Sequence, residues 1–367
     1  KRFGDEILKL SLFLILFYLT IFLIAEVTAI ASLLNLISKT PLWATSAITL
    51  IICLLYILRG GFKLSVITDK YQFIIVSVII LASFTLILES LDISSFEIIK
   101  KNSPNLLDTK YLPNYTAGLT FFIAVAATNL FHQGNWQRVF AAKNNNKLKD
   151  SLLYSSAIIF IIVFWMGYTG LISYSINQEV NPDLAFFNLL LRNKDLYIIL
   201  GILILALSLT LSTIDTLINA ISSILMLNGK QINKNLSGKE LKKKVDLIIL
   251  LLSLIVFLIS SKGYSILYLF LLADLLCCAA VITIFYGFFR KKIEFKLARL
   301  SILLGLICGF LFFPSIDFQK SLLVGIILPS DLFSNFVVNN LLFISFTISI
   351  LIQFFVIFYY SFRNSFR

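Results

Sequence analysis

The sequence predicts an all-α protein, a polytopic bundle of transmembrane helices. Of its 367 residues, 59% are hydrophobic and only 14% are charged, whereas soluble proteins carry about 25% charged residues. Several apolar runs are longer than the roughly 20 residues that an α-helix needs to cross the hydrocarbon core of a bilayer. This composition excludes a soluble globular domain.

Ten membrane spans are predicted from the apolar runs. They lie at about 8–37, 42–58, 71–90, 117–137, 151–176, 197–227, 247–261, 264–289, 298–313 and 336–362. The segment 319–329 is too short to cross and is expected to be interfacial. Between the third and fourth spans, Pro104 and Pro113 predict an extended or turned segment outside the membrane.

The positions of Lys and Arg give the spans an orientation. With residue 1 in the cytoplasm, 23 of the 31 Lys and Arg residues fall in cytoplasmic loops and ends, as the positive-inside rule requires. The sequence therefore predicts a multi-pass protein of the cytoplasmic (inner) membrane, with both ends of this chain inside. The net charge of +12 then reflects topology in the lipid bilayer and not a nucleic-acid partner.

The sequence offers no candidate metal site built from His and Cys. Cys53, Cys277, Cys278 and Cys308 all lie in apolar runs, and the chain has a single His. Neither zinc spacing nor a secreted disulfide framework is visible, so the cysteines are expected to be buried small apolar residues.

The sixth predicted span carries a ladder of polar side chains. Its members recur at steps of four, three, four and three and are Ser208, Ser212, Asp215, Asn219 and Ser222. This spacing places them on one side of a helix. A carboxylate at the bilayer centre costs about 2.5–3.5 kcal/mol on insertion scales, so it usually faces a cavity or a partner. The ladder either bonds to its own and neighbouring helices or lines a pathway, and we favour the pathway.

Other spans also contain polar residues. Glu26 lies near the middle of the first span and Asp274 in the eighth, while Asn129, His132 and Gln133 lie towards the cytoplasmic end of the fourth. Interhelical hydrogen bonding explains Glu26 as well as a functional role does. The group around His132 favours a helix that borders a cavity.

Four segments resemble, in chain order, motifs of the sodium:solute symporter family. They are Arg59–Gln72, with its Gly-Gly and Thr-Asp pairs, Asn129–Lys143, with Gln-Arg and Ala-Ala-Lys, Leu211–Asn219, and Ala273-Asp-Leu. Each motif alone is weak evidence, but four in order and on matching sides of the membrane are strong. The resemblance covers essentially the whole chain.

The resemblance implies an inverted-repeat (LeuT-like) transporter fold, in which ligands bind near mid-membrane at broken helices. Residues 1–90 would complete the first five-helix repeat, 117–289 would form the second, and 298–367 would be peripheral. The start of the chain is similar to the loop before the family's third core helix. We therefore expect the C-terminal portion of a symporter, without its first two core helices.

The resemblance also implies the residues of a sodium site. Ser212 and Thr213 would supply side-chain ligands, and Leu209 would supply its backbone carbonyl. Thr216 would contribute to a second ion position, and Asp69 corresponds to a carboxylate implicated in sodium release. Sodium would be the coupling ion, and no other cofactor is expected.

The solute would lie against the fourth span, with Asn129, His132, Gln133 and Trp136 as candidate contacts. The family resemblance implies sodium-coupled symport of a small polar solute, with urea, amino acid, sugar and carboxylate all open. A passive channel or facilitator is the alternative, because hydroxyl ladders also line pores, and a transport-like sensor module is another. An enzyme is disfavoured, because the acidic residues of the external loops form no recognisable motif.

Overall fold

The computed structural model describes residues 4–90, 94–193, 195–232, 237–289, 294–318, 320–323 and 335–365. Within these ranges the regular structure is helical, apart from one isolated β-bridge between Pro314 and Ser321. The predicted all-α class is confirmed. The helices are α1 Asp5–Ser38, α2 Leu42–Ser90, α3 Ser94–Asn102, α4 Pro104–Leu107, α5 Leu112–Phe131, α6 Gln133–Ala141, α7 Asn145–Ile176, α8 Ala185–Leu190, α9 Leu196–Ile232, α10 Gly238–Ser260, α11 Ile266–Phe289, α12 Phe295–Phe312, α13 Asn335–Asn339 and α14 Leu341–Ser365.

Eight of the ten predicted spans each fall on one of these helices, the second and third both on α2, whereas the fourth runs across α5 and α6 and the tenth across α13 and α14. Among the described residues, seven segments are long and apolar enough to cross a membrane, and Leu42–Leu55 is a shorter apolar helix. The two remaining spans are more polar: α10 carries four lysines, Glu240 and Asp246 in its first turns, and α5 contains Asn114 and Asn129. The chain is a multi-pass helical membrane protein.

The structure differs from the prediction in two segments between the spans. Pro104 starts the single-turn helix α4 and Pro113 lies in the first turn of α5, because proline is tolerated where a helix leaves its N–H groups unpaired. A turn at 109–110 separates the two helices. Of the segment 319–329, residues 320–323 follow α12 in a turn, and the remainder lies outside the described residues.

Gly61 interrupts α2 and separates the second predicted span from the third. Its backbone has φ 55° and ψ −156°, a region that essentially only glycine occupies. The helix resumes at once, so the apolar segment Gly61–Thr85 begins ten residues before the predicted start of the third span at 71. The connection between these spans is therefore helical and sharply bent.

The prediction of one continuous fourth span at 117–137 is wrong, because the helix breaks at His132. This residue has φ −66° and ψ 105°, an extended conformation that cannot continue the i to i−4 hydrogen-bond ladder of an α-helix. The chain resumes as α6 at Gln133. The local sequence contains the polar group that indicated a cavity-lining helix, but hydrophobic periodicity does not resolve such a break.

The described residues form two compact units. The first contains the chain up to Phe22, Thr109–His132 and the chain from Leu267 onward, and the second contains Leu23–Asp108 and Gln133–Ile266. Contacts within each unit position the side chains considered below. The predicted division into inverted repeats stays a prediction.

Close helix packing organises the first unit. Gly305 and Gly309 on α12 approach α11 and α14 so closely that a Cβ at Gly305 would lie 3.0 Å from the Ala279 carbonyl oxygen. The buried Gln353 of α14 donates a 2.6 Å hydrogen bond to the Cys278 carbonyl of α11. Helices in lipid usually associate through small residues and through interhelical hydrogen bonds of polar side chains. Apolar contact alone does little there, because lipid offers the same contact.

In the second unit, α2 packs against α9 and α10, and a buried apolar cluster lies among α1, α2, α7, α8 and α9. The cluster contains Ile30, Leu33, Ile87, Trp165, Leu184, Phe186, Leu190, Ile202, Leu205 and Ala206. Packing of long apolar side chains around Trp165 holds these helices together. The polar face of α9 lies further along the same helix.

A capping box fixes the start of α10 in the polar loop that the sequence assigns to the cytoplasm. The Glu240 N–H donates to the Ser237 hydroxyl at 3.3 Å, and the Ser237 N–H donates to the Glu240 carboxylate at 3.0 Å. The Ser237 backbone N–H and, second, the Ser237 hydroxyl at 2.9 Å donate to the Glu240 carboxylate and hold its pKa below its usual value. The paired bonds satisfy N–H groups that a helix start otherwise leaves open.

Replacement of Gly61 by alanine tests the bend in α2. Nothing lies within 4 Å of a Cβ built at Gly61, so the expected cost comes from backbone strain and not from a clash. We expect Gly61→Ala to destabilise the full-length protein by about 1–3 kcal/mol, measured as a lower melting temperature in detergent.

The matched control is Gly167→Ala in the regular helix α7, where a Cβ also meets nothing within 4 Å. That change should be neutral or stabilising by about 0.5–1 kcal/mol, because alanine is the better helix former. Equal melting temperatures for the two variants would contradict the assigned backbone conformation at Gly61.

Candidate functional site

Two helices of the second unit bring polar faces together. On α2, Ser65 is followed by Thr68 and Asp69 at the spacing of one helical turn, and on α9 Ser212 is followed in the same way by Asp215 and Thr216. Residues three and four apart lie on one helix face, and α2 packs against α9. The helix contact therefore places two groups of oxygen atoms opposite each other.

Asp215 is the buried centre of this contact. It is 0% exposed, and its carboxylate accepts a 2.8 Å hydrogen bond from Ser65, with the Thr68 and Thr216 hydroxyls 3.3 and 3.2 Å from its oxygens. A buried carboxylate requires such partners, because burial removes the water that solvates its charge. The Asp215 side chain therefore joins α9 to α2, and the lining of a pathway by the ladder stays a prediction.

Asp69 lies at the edge of the same face and forms an ion pair with Arg138. One carboxylate oxygen accepts a hydrogen bond from Ser212 and the other from Arg138, each at 2.5 Å. The guanidinium also donates to the Thr216 hydroxyl at 2.9 Å. Charge-assisted bonds of this kind are short and stronger than neutral ones, so three helices meet at Asp69.

The Asp69–Arg138 pair keeps access to solvent. The side chain of Arg138 is 39% exposed and that of Asp69 is 22% exposed. At such exposure an ion pair is worth much less than a fully buried one, of the order of 1 kcal/mol. The pair can therefore open without the large cost that attends a buried unpaired charge.

The short helix α6 positions Arg138, which the sequence analysis did not select as a site residue. Next to it, Gln137 donates a 2.6 Å hydrogen bond to the Ser223 hydroxyl of α9, and this bond fixes α6 against α9. The available signal was the Gln-Arg pair in the family-like segment Asn129–Lys143. Nothing in the sequence alone shows that this arginine meets Asp69.

The five predicted sodium-site residues fall into two groups in the structure. Asp69, Ser212 and Thr216 belong to the hydrogen-bonded cluster described above. The Thr213 hydroxyl instead donates to the Leu209 carbonyl at 3.1 Å, on a more exposed side of α9. The two groups adjoin, because Ser212 and Thr213 are consecutive, and their role in binding sodium stays a prediction.

The predicted solute contacts flank the helix break. Asn129 donates to the Val125 carbonyl at 2.9 Å within α5, and the His132 ring lies 6.3 Å from the Phe22 ring; both belong to the first unit. In the second unit, Gln133 begins α6, and Trp136 lies 6.1 Å from the Phe140 ring. Their role in solute binding stays a prediction.

The remaining polar and sulfur residues of the spans are mostly buried. Asp274 is 6% exposed and accepts a 2.6 Å hydrogen bond from Thr128 of α5, within the first unit. Three of the cysteines are buried as predicted, and Cys308 is partly exposed. All four are free thiols.

The family comparison decides the class of the protein. The sequence model of the sodium:solute symporter family matches residues 1–305. The chain belongs to the sodium:solute symporter family. The match includes all three helices that meet at Asp69, and it ends within α12.

Among characterised proteins, the chain is similar to a spermidine transporter of Candida albicans. The two are 24% identical over an alignment that covers 73% of this chain and 50% of the relative. The chain thus spans about half the length of this relative.

A double-mutant cycle on Asp69 and Arg138 tests the ion pair. We expect Asp69→Asn and Arg138→Gln each to lower the melting temperature of the full-length protein. The double variant should be less destabilised than the sum of the two, with a coupling of about 1 kcal/mol, because both side chains are partly solvated.

The control cycle pairs Asp69→Asn with Asn144→Ala, since the Asn144 side chain caps α7 by a bond to the Lys147 N–H and does not contact the Asp69 cluster. Strict additivity in the Asp69–Arg138 cycle would show that the pair does not form.

Proposed function

We propose that this chain is part of a sodium-coupled symporter that carries a small polar solute across the cytoplasmic membrane by alternating access. The observation that carries the proposal is the oxygen group on α9. It consists of the Leu209 carbonyl and the Ser212 and Thr213 hydroxyls, with Ser212 hydrogen-bonded to Asp69. Membership of the sodium:solute symporter family supports the same function.

The chemistry of this group suits sodium. Hydroxyl and carbonyl oxygens bind a hard cation without adding a full charge, which allows release as well as binding. Ser212 donates a hydrogen bond to Asp69, so the lone pairs of the Ser212 oxygen remain available to a cation. The carboxylate behind it raises the electron density on the hydroxyl oxygen, as outer-shell acceptors do at other metal sites.

One helix cannot enclose a sodium ion. We propose that the remaining ligands come from a preceding core helix of the full-length protein, as the family resemblance implies.

Arg138 gives the cluster a means of releasing the ion. Asp69 is paired with the guanidinium, which also binds Thr216. A sodium ion that moves to Asp69 and Thr216 would compete with Arg138 for the same oxygens, because two cations cannot share one small group of ligands without repulsion. Return of Arg138 to Asp69 would then favour departure of sodium, since differential affinity for the two states drives the change.

Sodium entry would supply the driving force for solute uptake. Movement of one positive charge across 100 mV is worth about 2.3 kcal/mol, in addition to the concentration gradient. Both ends of this chain would lie in the cytoplasm, in agreement with the distribution of Lys and Arg. The relative named as a spermidine transporter adds a polyamine to the candidate solutes urea, amino acid, sugar and carboxylate.

Removal of the two hydroxyls tests sodium coupling. We expect the double change Ser212→Ala and Thr213→Ala in the full-length protein to abolish sodium-stimulated uptake while expression is retained. Uptake of radiolabelled spermidine, urea, proline and glucose would be measured in proteoliposomes with and without a sodium gradient.

Thr210→Ala, on the same helix and with its hydroxyl bonded to the Ala206 carbonyl of that helix, is the control and should keep full sodium stimulation. If the double variant retains sodium-dependent uptake, the assigned site is wrong. If the unaltered protein equilibrates a solute without accumulating it, the protein is a facilitator.

A further inference from the structure

The break at His132 leaves carbonyl groups at the end of α5 without helical partners. If the helix continued, the carbonyl of its last residue, Phe131, would accept from the N–H four residues further on. Phe131 is buried, with 7% of its surface exposed, and a buried carbonyl without a partner costs free energy comparable to a lost hydrogen bond. The break is therefore stable only if another helix supplies a donor.

Tyr18 of α1 is that donor. Its hydroxyl donates a 2.9 Å hydrogen bond to the Phe131 carbonyl, and the tyrosine is 1% exposed. Both residues belong to the first unit and lie 113 positions apart in the chain. A buried tyrosine usually finds a partner for its hydroxyl, and here the partner is the carbonyl that the break would otherwise leave open.

A second buried hydrogen bond holds the same end of α5. The Thr128 hydroxyl donates to the Asp274 carboxylate of α11 at 2.6 Å. Thr128 and Phe131 are both buried, and residues three positions apart lie on one face of a helix. Asn129, which follows Thr128, is exposed. α1 and α11 therefore hold the buried face of α5, and Asn129 lies away from that face.

Aromatic rings extend this packing to His132. The Phe22 ring, one turn beyond Tyr18 on α1, lies edge-on to the Tyr18 ring with 6.0 Å between the centroids. The centroid of Phe22 is also 6.3 Å from that of His132 and 4.9 Å from that of Phe270 on α11. Edge-to-face contacts at these distances are a favourable geometry for aromatic pairs. The helix that bonds the end of α5 thus also contacts the His132 ring.

We propose that Tyr18 is a positioning residue for solute binding, because its hydroxyl fixes the end of α5 and thereby the predicted solute contacts Asn129 and His132. The proposal rests on the transport function proposed above and adds a residue to its solute site. Tyr18 does not itself meet the solute, because it is 1% exposed. Its hydrogen bond instead restricts the positions that the end of α5 can take. The apparent affinity for a ligand falls in proportion to the fraction of protein that is in the binding-competent arrangement.

The test is Tyr18→Phe in the full-length protein, which removes the hydroxyl and keeps the ring. Uptake is measured in proteoliposomes with whichever of spermidine, urea, proline and glucose the unaltered protein accumulates. We expect KM for this solute to rise about 10-fold, the effect of losing one hydrogen bond to a buried group. The sodium concentration for half-maximal uptake at saturating solute should stay unchanged, because the candidate sodium oxygens lie on α9 in the second unit.

Tyr115→Phe is the matched control. The Tyr115 hydroxyl also donates to a backbone carbonyl, that of Thr109 at 2.8 Å, but the side chain is 54% exposed and lies in the first turn of α5. This variant should keep the KM of the unaltered protein. Incorporation of p-aminophenylalanine at position 18 is the rescue, because its amino group can donate to the Phe131 carbonyl, and it should restore most of the affinity. A KM that stays raised in the rescued protein overturns the proposal, even if Tyr18→Phe fails to fold.

Hydrogen–deuterium exchange tests the position of α5 without a solute. Amides of residues 126–132 should exchange faster in Tyr18→Phe than in the unaltered protein, and unchanged exchange there overturns the proposal. A lower maximal rate and melting temperature with an unchanged KM would show a purely structural role and would overturn the role of Tyr18 alone. Absence of sodium-dependent uptake of all four solutes by the unaltered protein contradicts the transport function, and the solute role of Tyr18 with it.

Discussion

The second unit depends on the contact between α2 and α9, and that contact depends on one buried carboxylate. Asp215 has no exposed surface, and no water is available to solvate a charge at that depth. Hydroxyls of Ser65 and Thr68 on α2 supply hydrogen bonds in its place. Loss of these partners would leave a buried charge unpaired, at a cost of several kcal/mol. The register of α2 against α9 is thereby fixed, and Asp69, one turn beyond Ser65, is brought to Ser212 as a consequence.

The bend at Gly61 is a second constraint on this arrangement. Ser65 and Asp69 begin the helical segment that follows Gly61, so the direction of that segment is set where the backbone leaves helical geometry. A conformation restricted to glycine stores little strain when glycine is present and much when it is not. The break at His132 acts similarly for α6, whose short length places Arg138 beside Asp69. Two backbone interruptions and one buried carboxylate together determine where the polar side chains meet.

Much of the fold could be predicted from the sequence, because its signals are strong in a membrane protein. Apolar runs located the helical spans, although the fourth and the tenth are interrupted at His132 and Asn340. The spacing of the ladder placed Ser212 and Asp215 on one side of a helix, and in the structure both bond to α2. The break at His132 was missed because the polar residues around it were interpreted as lining a cavity, and polarity alone does not distinguish a broken helix from a continuous one. Arg138 was missed for a different reason. Its partner lies 69 positions away, and tertiary pairing of that kind leaves no periodic trace in one sequence.

Asp215, Asp69 and Glu26 differ in their hydrogen-bond partners and in their exposure. These differences limit the role that each carboxylate can serve. Asp215 is fully enclosed and bonded by hydroxyls that cannot leave without separating two helices, so it is suited to structure. Asp69 is bonded by one fixed hydroxyl and by an arginine that remains 39% exposed, so its cation can be exchanged at modest cost. Glu26 is bonded by none of the described side chains. The hydrogen-bond partners of Asp215 are therefore fixed and one partner of Asp69 can be exchanged, whereas Glu26 has none among the described side chains.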